Sequence, residues 1–251
     1  VKHPTGLSQS QRWNQPVLPG NGPLFWVALF LLGLRGLWKG AMEMMDFYMT
    51  PGSCSTGIHI LLEELDLIFS AHIVNLPAGD STKPEFLALN PKGSIPVLVR
   101  PDGVALTEFQ AIAWWLALTY PKAKLLPEGA DAQGEALDLL SFIVGTIHLQ
   151  GFTRIFVPER TMFREDDRPR VEAQGKQIVL KGFSILEKRL EGSESGYLFG
   201  HFTIADAALF YVAFWADRTG LPLPPACRRH FELMLTRPKV RQVLMEEGYR
   251  P

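Results

Sequence analysis

The most reactive side chain this sequence offers is Cys54. It follows Thr50-Pro51-Gly52-Ser53 and opens a stretch in which Ile58, Leu61, Leu62 and Leu65 recur at i, i+3, i+4 and i+7, the period of a helix with one buried face. A sulfur at a helix N-terminus meets unpaired amides and the positive end of the peptide dipole, so its pKa is expected below the usual thiol value. The resulting thiolate would be a nucleophile. The plainer alternative is a small residue buried at a helix start, with Ser53 as the N-cap. Cys227, just after Pro224-Pro225, has no such surroundings and reads as structural.

Three other residues invite a chemical reading. Pro96 follows Ile95 at the start of an apolar run that otherwise looks like a strand. Proline gives no ladder donor and is tolerated at a first strand position. The backbone of Ile95 is then free to pair with an extended, peptide-like ligand. Sequence by itself does not say whether the Ile95–Pro96 bond is cis. Glu108 starts a helix, where the dipole favours a carboxylate, and it could also receive a ligand ammonium. His148 lies beside Ile147 on a helical stripe, a place where a histidine is commonly a satisfied core residue. The six histidines (His3, His59, His72, His148, His201 and His230) show no paired ligand spacing, and two cysteines exclude a four-cysteine or three-cysteine zinc site, so no metal is expected.

The elements that must position these residues fall into two groups. Met45–Met49 reads as a strand ended by Pro51-Gly52, the helix from Cys54 follows, and 71–75 reads as a second strand. A short helix at 84–89 ends at Asn90-Pro91-Lys92-Gly93. Then 95–99 and 104–106 flank Pro101-Asp102-Gly103, a hairpin signal. An apolar helix over 108–120 closes at Pro121, which gives βαβαββα. After a linker over 121–134 no strand pattern appears. Leu137, Leu140, Val144 and Ile147 form one helical stripe, and Val179, Phe183, Leu186 and Leu190 another. Thr203-Ile204-Ala205-Asp206 is a capping box with Asp where Glu is commoner. The fold class is therefore α/β plus all-α, with boundaries expected at 42–121 and 130–251.

Composition narrows the class. The chain has 251 residues, 47% hydrophobic and 20% charged, with net charge −1. That supports a sizeable core and gives no basic excess for nucleic acid. Two cysteines exclude a disulfide scaffold, and a cytoplasmic location is expected. The balance hides an asymmetry, because residues 1–41 hold four basic side chains and no acid, which leaves −5 for the rest. Leu24–Leu34 is an apolar run of eleven residues, short of the ~20 that span a bilayer. The first 41 residues are read as an upstream extension, with translation beginning at Met42, Met44 or Met45. A membrane-associating or export segment and a helix packed on the body are the alternatives.

Taken together, Thr50-Pro51-Gly52-Ser53-Cys54-Ser55 with His59, Asn90-Pro91-Lys92-Gly93-Ser94-Ile95-Pro96-Val97-Leu98, Asp102-Gly103, Leu106-Thr107-Glu108 and Phe202-Thr203-Ile204-Ala205-Asp206-Ala207 resemble the glutathione S-transferase superfamily, in particular its bacterial cysteine-type (beta-like) members. The resemblance runs from about Met45 to the C-terminus. It implies a thioredoxin-like N-terminal domain that holds glutathione as co-substrate and a helical domain that supplies most of the electrophile pocket. It implies a cis Pro96, an Ile95 backbone that pairs with the cysteinyl part of glutathione, and Glu108 with the Phe109 amide at the γ-glutamyl end. Ser53 belongs to the same binding turn. Cys54 would sit at the glutathione sulfur, as donor or in a mixed disulfide, with His148 facing it from the second domain. A homodimer, a detoxifying role and no nucleic-acid partner follow from the same likeness, and membrane association only through the first 41 residues.

Three positions depart from the pattern. Phe109 stands where a serine is common, so a hydroxyl contact is lost. Leu149 replaces a polar residue after the histidine, with Arg154 as a substitute helper. Lys83 is near, but not in register with, a basic glutathione contact. The expected function is conjugation of the glutathione thiolate to a small hydrophobic electrophile. A glutathione-dependent thiol-disulfide reductase is the first alternative, and because Cys54-Ser55-Thr56-Gly57 has no second cysteine its resolving thiol would be glutathione itself. A non-catalytic binding or interaction module is the second.

Overall fold

The computed structural model describes residues 44–250, so the readings of residues 1–41 as an extension, export or membrane segment, and of Met42 as a start, lie outside the described residues. Four strands form one sheet in the order β2-β1-β3-β4: β1 (Met45–Met49), β2 (Phe69–Ile73), β3 (Val97–Val99) and β4 (Ala105–Thr107). β1 runs parallel to β2, with Phe47 opposite Ala71. β3 is antiparallel to both its neighbours, with Leu98 opposite Phe47 on one side and Leu106 on the other. The second strand begins two residues before the expected 71–75. Phe69 packs edge-on against Phe47, and that contact sets the register more strongly than the apolar residues after it.

Period-two alternation sends Met45, Phe47 and Met49 to one face, where they join α1 (Ser55–Glu64) and α3 (Phe109–Thr119) in the main core. The opposite face carries α2 (Pro84–Leu89), whose Phe86 packs with Val74 and Val97. Beyond the sheet come α4 (Ala130–Phe156), α5 (Arg168–Glu191), α6 (Ile204–Thr219), α7 (Pro225–Thr236) and α8 (Pro238–Glu246). The thioredoxin-like sheet with its helices, followed by an all-helical part, is the expected fold class. Helix α4 is unusual, because its middle, Ile143–Phe152, is wound as a π-helix between two α-helical ends. By length and apolarity alone α4 is sufficient to cross a membrane. In this fold it lies close against α5: a Cβ on Gly182 would stand 2.5 Å from Ile147, and one on Gly175 would stand 2.8 Å from the Gly151 carbonyl.

Helix α6 is the centre of the second module, with every residue from Ile204 to Ala216 buried. Each large apolar side chain so placed contributes roughly 1.5–3 kcal/mol. Its N-terminus is held by the expected box. The Thr203 amide and hydroxyl both donate to Asp206 Oδ2, at 2.8 and 2.9 Å. Asp206 Oδ1 takes the Leu198 amide at 3.0 Å and pairs with His230 Nε2 at 3.0 Å, so this fully buried carboxylate ties three segments together.

Candidate active site

The turn before α1 is built by its own short side chains and then locked from a distance. Ser53 Oγ donates to the Thr50 carbonyl at 2.6 Å and accepts the Ser55 amide at 3.1 Å, while the Thr50 amide donates to Ser55 Oγ at 3.1 Å. The backbone of Cys54 is already helical, so the cap falls one residue later than the expected Ser53, although Ser53 still satisfies an amide of the first turn. Gly52 has φ +72°, a conformation that favours glycine, and a Cβ there would strike the Tyr249 hydroxyl. Its carbonyl accepts from Trp215 Nε1 at 2.7 Å and its amide donates to Glu247 Oε2 at 2.7 Å. Glu247 Oε2 also takes the Thr56 hydroxyl at 2.7 Å, and Oε1 pairs with His59 Nδ1 at 2.9 Å.

Cys54 itself overturns one expectation. Burial pushes its thiol up to about 12, and the nearby Glu108 carboxylate adds to the rise, against the lowering pull of the Cys54 and Ser55 amides. The side chain is 7% exposed, so desolvation of the anion outweighs the helix end. Cys54 is therefore a thiol at neutral pH and points at the Ile95 carbonyl, 3.9 Å away. Cys227 is also a free, buried thiol held well above its ordinary value, first by burial and then by Glu187. Neither cysteine should react with iodoacetamide at appreciable rate at pH 7. Cys54 alkylation should keep rising with pH toward about 12 instead of levelling off near the ordinary thiol value. Intact-mass kinetics check this, and fast labelling at pH 6–7 would restore a low-pKa thiolate.

Across from Cys54, the Ile95–Pro96 bond is cis, as the resemblance implies. The paired residues of β3 begin at Val97, so the backbone of Ile95 lies outside both ladders. Glu108 caps α3 with φ +74°, a strained value for a non-glycine residue, and its exposed carboxylate accepts from Lys92 Nζ at 2.7 Å. Phe109 is buried with its ring against Tyr211, centroids 5.2 Å apart. It occupies the first position of α3, whose amides leave an anion site at that end.

His148 comes from the π-wound part of α4. Its Nδ1 lies 3.2 Å from the Tyr211 hydroxyl, and its ring meets Trp215 edge-on at 4.8 Å. Burial lowers its pKa to about 4, so it is neutral at pH 7. Tyr211 is fully buried and pushed well above its usual value, first by burial and then by the negative charge that Cys54 would carry once ionised. The sign of the His148 shift fixes a pH effect. Below about 6.5 the unfolded chain gains a proton that the folded chain refuses, so stability is full above that value and falls as pH drops toward 4. His148→Phe should flatten this limb of a denaturation-against-pH profile, and an unchanged slope would contradict it.

Ser53, Cys54, Ile95 and His148 line one cleft of 830 Å³ between the sheet and the helices. Lys83 lies elsewhere, paired with Asp80 at 2.6 Å on the α2 face. Arg154 points away too, donating to the Gln150 carbonyl and bordering α5. Their chain neighbours Ser81 and Thr153 line the cleft instead. Pro96, Glu108 and Phe109 do not line it, although Glu108 is bonded to Lys92, which does. Lys92, Arg160 and Trp215 do line it and were not singled out from sequence. The Asn90-Pro91-Lys92-Gly93 turn was the one available signal, while Arg160 and Trp215 reach the cleft only through helix packing. Among the described residues the fold also brings His59, Glu63 and Glu246 within 4.8 Å of one another, a metal-like grouping invisible to local spacing. Gln242 and Lys239 already supply Glu63 with donors.

Residues 52–119 match the family described as glutathione S-transferase, N-terminal domain, and residues 160–242 match glutathione S-transferase, C-terminal domain. Glutathione S-transferase GstA of Escherichia coli O157:H7 is 33% identical over 220 residues, covering 82% of this chain and 100% of that protein. Glutathione S-transferase GST-4.5 of Xanthomonas campestris is 32% identical over 212 residues, covering 81% and 99%. A glutathione transferase homologue from Sulfitobacter, solved with bound glutathione, superposes with TM-score 0.74 at 27% identity, covering 82% of this chain and 99% of that one.

Proposed function

The chain belongs to the glutathione S-transferase family, and from that premise we propose that it conjugates the glutathione thiolate to a small hydrophobic electrophile in the Cys54 cleft. The observation that carries this reading is the meeting of Cys54 with the Ile95 carbonyl at 3.9 Å in a cleft that also holds His148. The unpaired strand edge at Ile95 suits the cysteinyl backbone of glutathione. The α3 N-terminus suits the γ-glutamyl carboxylate, and Glu108 suits its ammonium in competition with Lys92.

With Cys54 protonated, its S–H donates to the glutathione sulfur, and the α1 amides add positive potential there. Both favour the thiolate of the bound peptide over its thiol. Attack forms the carbon–sulfur bond while the electrophile's leaving group departs with its electron pair. Neutral His148, steered by Tyr211, borders the same space without adding charge. The raised Cys54 pKa weighs against the reductase reading, which needs a nucleophilic protein thiolate.

A homodimer acting in detoxification in the cytoplasm completes this reading by family likeness, and light scattering tests the assembly. The deciding experiment is calorimetric binding of glutathione, followed by conjugation to a chlorodinitrobenzene. Binding below millimolar concentration with turnover is expected. No binding at millimolar glutathione overturns the reading, and binding without conjugation of any aryl halide turns it toward the non-catalytic module that Phe109 and Leu149 suggest.

A further inference from the structure

The outer half of the cleft combines apolar surface with one unmatched positive charge. Leu76, Leu149 and Phe156 are 39%, 54% and 46% exposed, and all three line this cleft. Large apolar side chains left this open in a concave site mark surface that a ligand covers. Phe156 is also held flat. It stacks on Phe152 with centroids 5.4 Å apart and 20° between planes, and it meets Trp215 edge-on at 5.4 Å. A rigid aromatic wall of this kind favours a planar ligand.

The charges on the wall are not equivalent. Lys92 is engaged by Glu108 and by the Thr107 hydroxyl. Glu159 leans on Arg168 at 4.0 Å. Arg160 ends the short turn Pro158–Arg160, and among the described residues its guanidinium makes no hydrogen bond, ion pair or ring contact. A guanidinium offers a planar fork that matches a carboxylate, sulfonate or similar anion.

We propose that this cleft prefers aromatic electrophiles bearing an anionic substituent, with Arg160 as the residue that reads the anion. The inference rests on the glutathione transferase reading above and names the substrate class of that same site. The aromatic ring lies against Phe156 and Leu149, and the anion pairs with Arg160 beyond it. When the glutathione thiolate displaces halide from such a ring, a carbon–sulfur bond replaces the carbon–halogen bond and the halide leaves with the electron pair. The ring's anionic group is unchanged throughout, so Arg160 contributes to binding and specificity.

The test uses two matched pairs. A chlorodinitrobenzoate and its carboxamide are compared as substrates, and S-(carboxybenzyl)glutathione and its carboxamide as ligands, each with wild type and Arg160→Gln. Wild type should favour the carboxylate member of each pair by about three- to fivefold, the upper end of what an exposed ion pair gives. The preference should shrink with added salt. Arg160→Gln should erase the preference while leaving glutathione affinity unchanged, and Arg160 is exposed enough for the variant to fold. Equal handling of both members by wild type overturns the proposal while the transferase reading stands. So does a variant that weakens glutathione itself, because Arg160 would then belong to the tripeptide. If wild type binds neither S-benzyl ligand nor glutathione, the transferase reading fails, and this proposal fails with it.

Discussion

Glu247→Ala should destabilise the folded protein by about 3–5 kcal/mol, the usual cost of breaking a buried ionic hydrogen-bond group. The carboxylate is buried at the end of α8 and takes the Gly52 amide, the Thr56 hydroxyl and His59 Nδ1. Alanine leaves the Gly52 amide and the Thr56 hydroxyl without their acceptor and His59 Nδ1 without its partner, and unsatisfied buried polar groups are more expensive than the bonds they lose are favourable. Glu247→Gln should be milder, because its carbonyl can still take the Gly52 amide and the Thr56 hydroxyl while its amide NH2 donates to His59 Nδ1 in the tautomer whose Nε2–H faces Glu246. Chemical denaturation reads the loss directly, and thermal unfolding should fall by on the order of 10 °C. A change below 1 kcal/mol for the alanine variant would mean that water replaces the carboxylate at no penalty. Because Gly52 sits two residues before Cys54, weaker glutathione binding should accompany the lost stability.

The second large effect is on turnover. Cys54→Ala should lower kcat/KM for conjugation by about one to two orders of magnitude, since a hydrogen bond to a charged group is worth roughly 1.5–3 kcal/mol. The loss should grow toward low pH, because without the donor the bound glutathione sulfur ionises less readily. Cys54→Ser offers a hydroxyl in the same place and should restore much of the activity. Full activity in the alanine variant would remove the donor role. An inactive serine variant, together with a glutathione adduct on wild-type Cys54 in the intact mass, would shift the reading to a mixed disulfide. This pair of variants separates the two roles because only the disulfide needs sulfur.

Much of the site was legible because its cues are local. The Pro51-Gly52-Ser53-Cys54 turn, the hairpin at Asp102-Gly103 and the Thr203/Asp206 box each depend on residues within a few positions of one another. Chain-local sterics and hydrogen bonding decide such features wherever the segment ends up. The 3.6-residue period placed Ile58, Leu61, Leu62, Leu140, Val144, Ile147, Val179, Phe183, Leu186 and Leu190 on buried faces, whereas Leu137 of the second stripe is 40% exposed. Strand limits were harder. β2 begins two residues early, where Phe69 meets Phe47 on another strand, a contact that no window along the chain contains.

The protonation of Cys54 was the plainest failure of local reasoning. A helix N-terminus argues for a thiolate, and the Cys54 and Ser55 amides do pull that way. Desolvation is larger, because the fold buries Cys54 in a core cluster assembled from segments far apart in the chain. Lys83 and Arg154 were close in sequence to plausible roles, yet their side chains leave on other faces. Arg160 and Trp215 gave no local sign and still line the cleft. By itself, then, the sequence determined the family, the order of elements and the turn that presents Cys54. The tertiary structure alone decided the charge state of that thiol and the chemistry of the wall facing it, because burial and electrostatic contact are sums over side chains far apart in the chain.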